Sequence, residues 1–171
     1  MSPPSPHLIL ISLGSNIERE HHTRRGVEAL QRHFTDVSLS SVYESEAVGF
    51  DGNAFYNLCA IAYTDLSIEG VCQVLKQIER DNGRIPSEKK FAPRTLDLDL
   101  LTYDDQVVSE PIVLPREEIE YNAFVLQPLA ELVPDHIHPV TGKSYLALWD
   151  AYDNPQQKLW PIEFTWKVTP V

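Results

Sequence analysis

Leucine and aspartate alternate strictly through Leu96-Asp97-Leu98-Asp99-Leu100, and this stretch constrains the fold more tightly than any other. On a strand, residues two apart share a face, so the three leucines enter a core while Asp97 and Asp99 stand side by side on the opposite face. Aspartate is a poor strand former, and neighbouring carboxylates repel. Two readings follow: an amphipathic strand whose wet face is acidic, or a carboxylate pair that holds a divalent cation. Oxygen-only ligands suit Mg²⁺. Arg84, Lys89, Lys90 and Arg94 gather cations just ahead of the pair, in a chain of formal net charge −11. Carboxylates with a cation, beside guanidinium forks, are the usual equipment of phosphoryl transfer. The same basic residues could instead form ion pairs with Asp81 or Glu88, contacts worth little when exposed. Gly14-Ser15-Asn16 lacks the lysine of a Walker loop, so a nucleotide must be held some other way.

Around this strand the patterning predicts a regular order of elements. Leu8 to Leu13 reads as a buried strand ended by Gly14. The spacing of Ser15 and Glu18 predicts a capping box and a helix from near Ile17 to Phe34, with Val27, Leu30 and Phe34 inward and His21, His22 and His33 at the solvent side or rim. Val37 to Tyr43 predicts a second strand, Glu44 to Ala54 a loop, and Phe55 to Tyr63 a third strand, the last two strands pairing as a long-looped hairpin. Ser67 caps a helix with Val71, Leu75 and Ile78 in its stripe, ended by Asn82-Gly83. Leu96 to Tyr103 follows as the fourth strand. Strand, helix, strand, strand, helix, strand is the ferredoxin-like arrangement: an α+β fold with an antiparallel sheet and helices on one face. Val107-Val108 and Ile112 to Leu114 add short edge strands, Tyr121 to Leu132 a further helix, and Leu159 to Val171 either an edge strand or an interface. His136 and His138 read as exposed imidazoles in a turn.

With 171 residues and no repeat or linker, one domain over 1–171 is expected. The acidic balance argues against a nucleic-acid backbone as partner, and no apolar run reaches bilayer length. The start lacks a basic head and an apolar segment, so the expected location is cytoplasmic. Cys59 and Cys72 sit in apolar patterns and read as buried free thiols. Neither protein partners nor oligomeric state are legible.

The chain resembles the 6-hydroxymethyl-7,8-dihydropterin pyrophosphokinases of folate biosynthesis. The resemblance rests on Gly14-Ser15-Asn16, Tyr43 to Gly49, Phe55-Tyr56-Asn57, Glu79 to Arg84 and Pro93-Arg94-Thr95-Leu96-Asp97-Leu98-Asp99, in that order. It runs from about Leu8 to about Trp149, and its last segment is highly specific. It implies a ferredoxin-like fold with added elements, and transfer of pyrophosphate from ATP to a pterin hydroxymethyl group with release of AMP. Asp97 and Asp99 resemble the pair that holds two Mg²⁺ ions on the ATP phosphates. Arg84 and Arg94 resemble cations of the nucleotide pocket, joined there by Glu79, Leu100 and Arg116. Asn57 resembles the amide that reads the pterin edge, Phe55 and Phe124 the aromatic walls around its ring, and Ser45 and Val48 positions whose backbone meets it. The resemblance also implies that 47–54 and 85–92 act as lids.

Several positions depart from the family pattern. Pro86 stands where a second arginine is usual, Phe91 for a tryptophan, Ala92 for a glycine, and Arg116 for a histidine. Tyr121-Asn122-Ala123 lacks a customary arginine, and Glu46-Ala47 replaces prolines. The changes fall mainly on the nucleotide and phosphate side, while the carboxylates and pterin walls remain. This leaves open an alternative, a diverged paralogue that binds a pterin or acts on another pterin or phosphate donor, and a third reading as an interaction module without small-molecule chemistry.

Overall fold

The computed structural model describes residues 7–45, 54–83, 96–154 and 157–166. The described strands are β1 (His7–Ser15), β2 (Thr35–Leu39), β3 (Val42–Ser45), β4 (Phe55–Thr64), β5 (Asp97–Tyr103) and β6 (Leu159–Ile162). The helices are α1 (Arg19–His33), α2 (Ile68–Asp81), α3 (Glu118–Tyr121), α4 (Ala123–Leu132) and α5 (Tyr145–Asp150). The sheet runs β5-β1-β4-β3-β6, with β2 also paired to β4, and each of these pairings is antiparallel. This is the order expected of the split β-α-β plan, with β6 as the added edge strand.

Alternation along the strands builds two cores. Ile9, Ile11 and Leu13 of β1 join Leu58, Ala60 and Ala62 of β4 and Leu96, Leu98 and Leu100 beneath α1 and α2. Val27 and Leu30 of α1 and Val71, Leu75 and Ile78 of α2 complete that layer, all at most 3% exposed. The intervening residues Leu10, Cys59 and Leu101 face the other way, where Leu126 and Leu129 of α4 cover them with Ile119 of α3 and Tyr145 of α5. The two helices of the split plan thus share one face, and the C-terminal helices close the second. Each fully buried aliphatic side chain contributes roughly 1.5–3 kcal/mol, so both layers matter to stability.

Several local expectations are corrected. The capping box at Ser15 does not form: Glu18 occupies the N-cap in left-handed backbone (φ 42°), α1 starts at Arg19, and Ser15 ends β1. His22 is buried rather than at the rim, its Nδ1 lying 2.6 Å from the Ile17 carbonyl. His138 is buried too, because its Nδ1 accepts from the Val140 and Thr141 amides and closes the turn that was expected to leave it exposed. Burial lowers its pKa, consistent with a neutral ring.

The predicted strand Val37 to Tyr43 is interrupted. Ser40 exchanges its amide and hydroxyl with the Cys59 backbone, and Ser41 turns its amide to Glu131, so β2 ends before β3 begins. Glu131 also accepts from the Tyr43 hydroxyl at 2.7 Å, tying α4 to β3. The helix expected from Tyr121 breaks at Asn122, whose side chain caps α4 by accepting from the Phe124 amide. The short edge strands at 107–114 reduce to a single bridge, Val108 with Leu114. Ser67 caps α2 as predicted, and Gly83 beyond it takes φ 86°, the left-handed value that favours glycine. Cys59 and Cys72 are both free; Cys59 is buried and Cys72 half-buried. No helix among the described residues is long and apolar enough to cross a membrane.

Candidate active site

The candidate site covers the α4 face of the sheet near Gly14 and reaches the β5 edge, where residues of α2 join its lining. Gly14 is paired with Asn57 on one side and with Asp97 on the other, so these three positions form one row across β4, β1 and β5. The next row inward joins Ser12 to Cys59 and Asp99. A β-carbon on Gly14 would lie 3.2 Å from Asn57 Oδ1 and 3.7 Å from the Phe55 ring, so glycine is what leaves the floor of the row open. Gly14 therefore belongs to the site. Its sequence signal is a glycine that ends a buried strand, a position where close approach is common.

Ser45 and Phe55 are register partners at the open end of the β3–β4 ladder, and Asn57 Nδ2 donates 2.9 Å to Ser45 Oγ. That bond leaves the amide oxygen of Asn57 directed over Gly14. Phe124 lies in the first turn of α4, half-buried, on the same side of the sheet. Cys59 Sγ donates to the Val125 carbonyl at 3.5 Å, which holds this turn beside β4 two residues from Asn57. The structure thus brings Ser45, Phe55, Asn57 and the Phe124 turn to one face, together with the carboxylate pair. Val48, Arg84 and Arg94 lie outside the described residues, as do most positions of the two expected lids.

Asp97 and Asp99 project from β5, which forms an edge of the sheet. Glu79 of α2 reaches that edge and accepts from the Leu98 amide at 2.8 Å. Its carboxylate thereby anchors the backbone between the two aspartates, a purpose the sequence did not disclose. Leu100 is buried beneath them. A cavity of about 470 Å³ runs along β5 and α2, lined among others by Lys76, Glu79, Leu100 and Arg116 with both aspartates. That size falls within the range of small-molecule sites.

Arg116 donates from Nη2 to Asp99 Oδ1 at 2.8 Å, while its buried Nε has no hydrogen-bond partner among the described residues. Even so, the Asp99 carboxyl is held well above the usual carboxylate range, at about 7. Desolvation is the largest cause; the Asp97 charge adds to it, Arg116 opposes it, and Glu118 and Glu79 contribute less. A pair of carboxylates in this condition, with oxygen donors alone, fits a hard divalent cation that completes its shell with water and phosphate oxygens. No group of three or more histidine, cysteine or acidic side chains suited to a metal occurs among the described residues. Two carboxylates are the usual protein share for Mg²⁺ held with a nucleotide.

The raised pKa has a sign that can be measured. Between about pH 4 and pH 7 the metal-free native protein holds a proton on Asp99 that the unfolded chain has released, so stability falls as pH rises through this window. Asp99→Asn is expected to raise the thermal midpoint of the metal-free protein above pH 7 and to change little near pH 4. Thermal unfolding at the two pH values checks this, and a lower midpoint for the variant at pH 8 would contradict it.

A family model described as 7,8-dihydro-6-hydroxymethylpterin-pyrophosphokinase (HPPK) matches residues 10–134. The chain is 34% identical over 173 residues to the 2-amino-4-hydroxy-6-hydroxymethyldihydropteridine pyrophosphokinase of Synechocystis sp., covering 95% of this chain and 87% of that one. Against the Bacillus subtilis protein of the same name identity is 35% over 131 residues, 74% of this chain and 78% of that one. Among solved structures, wild-type Plasmodium falciparum HPPK-DHPS superposes with a TM-score of 0.67 at 12% identity over 88% of this chain. That likeness shows the fold, and this chain spans 45% of the Plasmodium chain's length. A model match over most of the chain, and a relative one-third identical along nearly all of it, make this protein a member of the 7,8-dihydro-6-hydroxymethylpterin-pyrophosphokinase family.

Proposed function

We propose that this protein transfers the pyrophosphoryl group of ATP to the hydroxymethyl oxygen of 6-hydroxymethyl-7,8-dihydropterin. The observation that supports this reading is the row Asn57–Gly14–Asp97, in which an amide suited to a pterin edge and a carboxylate suited to a cation share one face. The pterin ring lies over Gly14 between Phe55 and Phe124, where offset stacking holds it. Asn57 Oδ1 accepts from the ring edge, since its Nδ2 is already engaged by Ser45. The triphosphate lies along the β5–α2 cavity.

In the reaction the hydroxymethyl oxygen attacks the β-phosphorus of ATP in line. The new bond joins the hydroxymethyl oxygen to the β-phosphorus, the bond between the β-phosphorus and the α,β-bridging oxygen breaks, AMP departs, and the hydroxyl proton passes to solvent. Mg²⁺ held by Asp97 and Asp99 with the ATP phosphates would supply neutralisation of the charge on those oxygens. The chain's own residues align the two substrates, the contribution that dominates phosphoryl transfer. Glu79 keeps the β5 edge in register, and Arg84 and Arg94 add positive charge at the phosphates. The buried free thiol at Cys59 suits a reducing, cytoplasmic location.

Pterin-dependent release of AMP from Mg²⁺-ATP tests the proposal directly. Pterin binding without AMP would favour the diverged-paralogue reading. One observation bears on that choice: Arg116 engages Asp99, the carboxylate a metal would use. In the active enzyme Arg116 exchanges this partner for a phosphate oxygen. Arg116→Ala is therefore expected to raise KM for ATP about tenfold or more, the loss of one charge-assisted contact, with the pterin KM unchanged. Steady-state kinetics in both substrates checks it, and an unchanged ATP KM would remove Arg116 from the phosphate site.

A further inference from the structure

Arg19, the first residue of α1, spans two strands on the side of the sheet away from the site. Its Nη2 lies 2.6 Å from Glu44 Oε2, and its Nη1 donates 2.9 Å to the Ala54 carbonyl. The guanidinium also stands 4.0 Å over the Tyr56 ring. Glu44 Oε1 is taken by Trp160 Nε1 of β6 at 3.1 Å, so both carboxylate oxygens are engaged. Glu44 is the last residue but one of β3, where it pairs with Tyr56, and Ala54 immediately precedes β4. One residue further on each side lie Ser45 and Phe55, which are paired across the ladder.

Side chains alternate along strands, so Glu44 and Tyr56 face α1 while Ser45, Phe55 and Asn57 face the site. Ser45 is also paired with Leu159 of β6, and the end of a ladder opens at little cost unless something ties it. Arginine suits that task because its rigid fork delivers two donors to acceptors on β3 and on the chain entering β4; a lysine ammonium offers one compact charge. We infer that Arg19, through Glu44 and Ala54, is a positioning residue that locks the Ser45–Phe55 rung from behind and so sets the pterin-contacting geometry. This role rests on the proposed pterin site.

The test compares the wild-type chain with Arg19→Ala, Arg19→Lys and Glu44→Gln. It reads the Kd for 6-hydroxymethyl-7,8-dihydropterin from ligand fluorescence, KM for each substrate, the thermal midpoint, and backbone hydrogen exchange at Ser45 and Phe55. Arg19→Ala is expected to weaken pterin binding about tenfold and to speed exchange at that rung, with KM for ATP unchanged. Arg19→Lys should recover part of the loss. Glu44→Gln removes the ion pair without shortening the side chain, and should show the same pattern more weakly even if Arg19→Ala folds poorly. Unchanged pterin affinity in Arg19→Ala and Glu44→Gln would overturn the inference while leaving the functional reading intact. Equal losses in ATP affinity, pterin affinity and thermal midpoint would also overturn it, because a general stability role behaves that way. Failure of the wild-type protein to bind the pterin would overturn the functional reading and this role with it.

Discussion

Asp97→Ala is expected to lower pterin-dependent AMP formation by at least about 10²–10³-fold, the cost typical of removing one group that meets transition-state charge. The physical case rests on the position of Asp97 in the same row as Gly14 and Asn57, where the two proposed substrate regions meet. Alanine there leaves Asp99 with the bond to Arg116 but without its carboxylate neighbour, so a cation loses half of its protein ligands. The fold should survive. Asp97 is one of the charges that push the Asp99 carboxyl up, and its removal relieves that repulsion. The thermal midpoint of the metal-free variant is therefore expected within about 2–4 °C of the parent, what 1 kcal/mol does in a chain of this size. Turnover with ATP and the pterin, alongside thermal unfolding, separates the two effects. An Asp97→Ala protein that retained a tenth or more of the parent rate would remove the carboxylate pair from the mechanism.

Asn57→Ala is expected to weaken pterin binding by roughly 10- to 150-fold, corresponding to about 1.5–3 kcal/mol for polar contacts that involve a committed partner. Asn57 is half-buried with its Nδ2 engaged by Ser45, so its orientation is set before any ligand arrives. Alanine removes both the reading oxygen and the bond that aligns Ser45. KM for ATP should not change, because the β5–α2 cavity contains none of these groups. Gly14→Ala belongs to the same argument: its β-carbon would press on Asn57 Oδ1 at 3.2 Å, tight enough to move the amide by a few tenths of an ångström. It is expected to show the same selective pterin defect with a smaller magnitude. Equilibrium titration with the pterin and separate ATP kinetics check both variants, and undiminished pterin affinity in Asn57→Ala would exclude the amide as the reader of the ring edge.

Much of this protein follows from local pattern. The alternation around Asp97 and Asp99 put the three leucines in a core and both carboxylates on the other face, because strand geometry allows no other placement of a strict period of two. The apolar stripes of α1 and α2 and the Ser67 cap were legible for the same reason: each depends on neighbours a few residues away. The motif resemblance added the pairing of Asn57 with Phe55 and the expected chemistry. Tertiary structure decided what local pattern could not. Whether Ser15 caps a helix or ends a strand depends on where the sheet stops, and the sheet keeps it. His22 and His138 are both buried beside backbone groups only a few residues away, Ile17 for the first and Val140 and Thr141 for the second, which are polar contacts that hydrophobic periodicity does not record. Glu79 acquired its purpose only when α2 reached the free edge of β5, and Arg19 only when β3, β4 and α1 met. Periodicity records which face of an element is apolar. It carries no account of which polar groups will meet across elements, since those meetings are set by long-range registers that the whole sheet must form before any one of them exists.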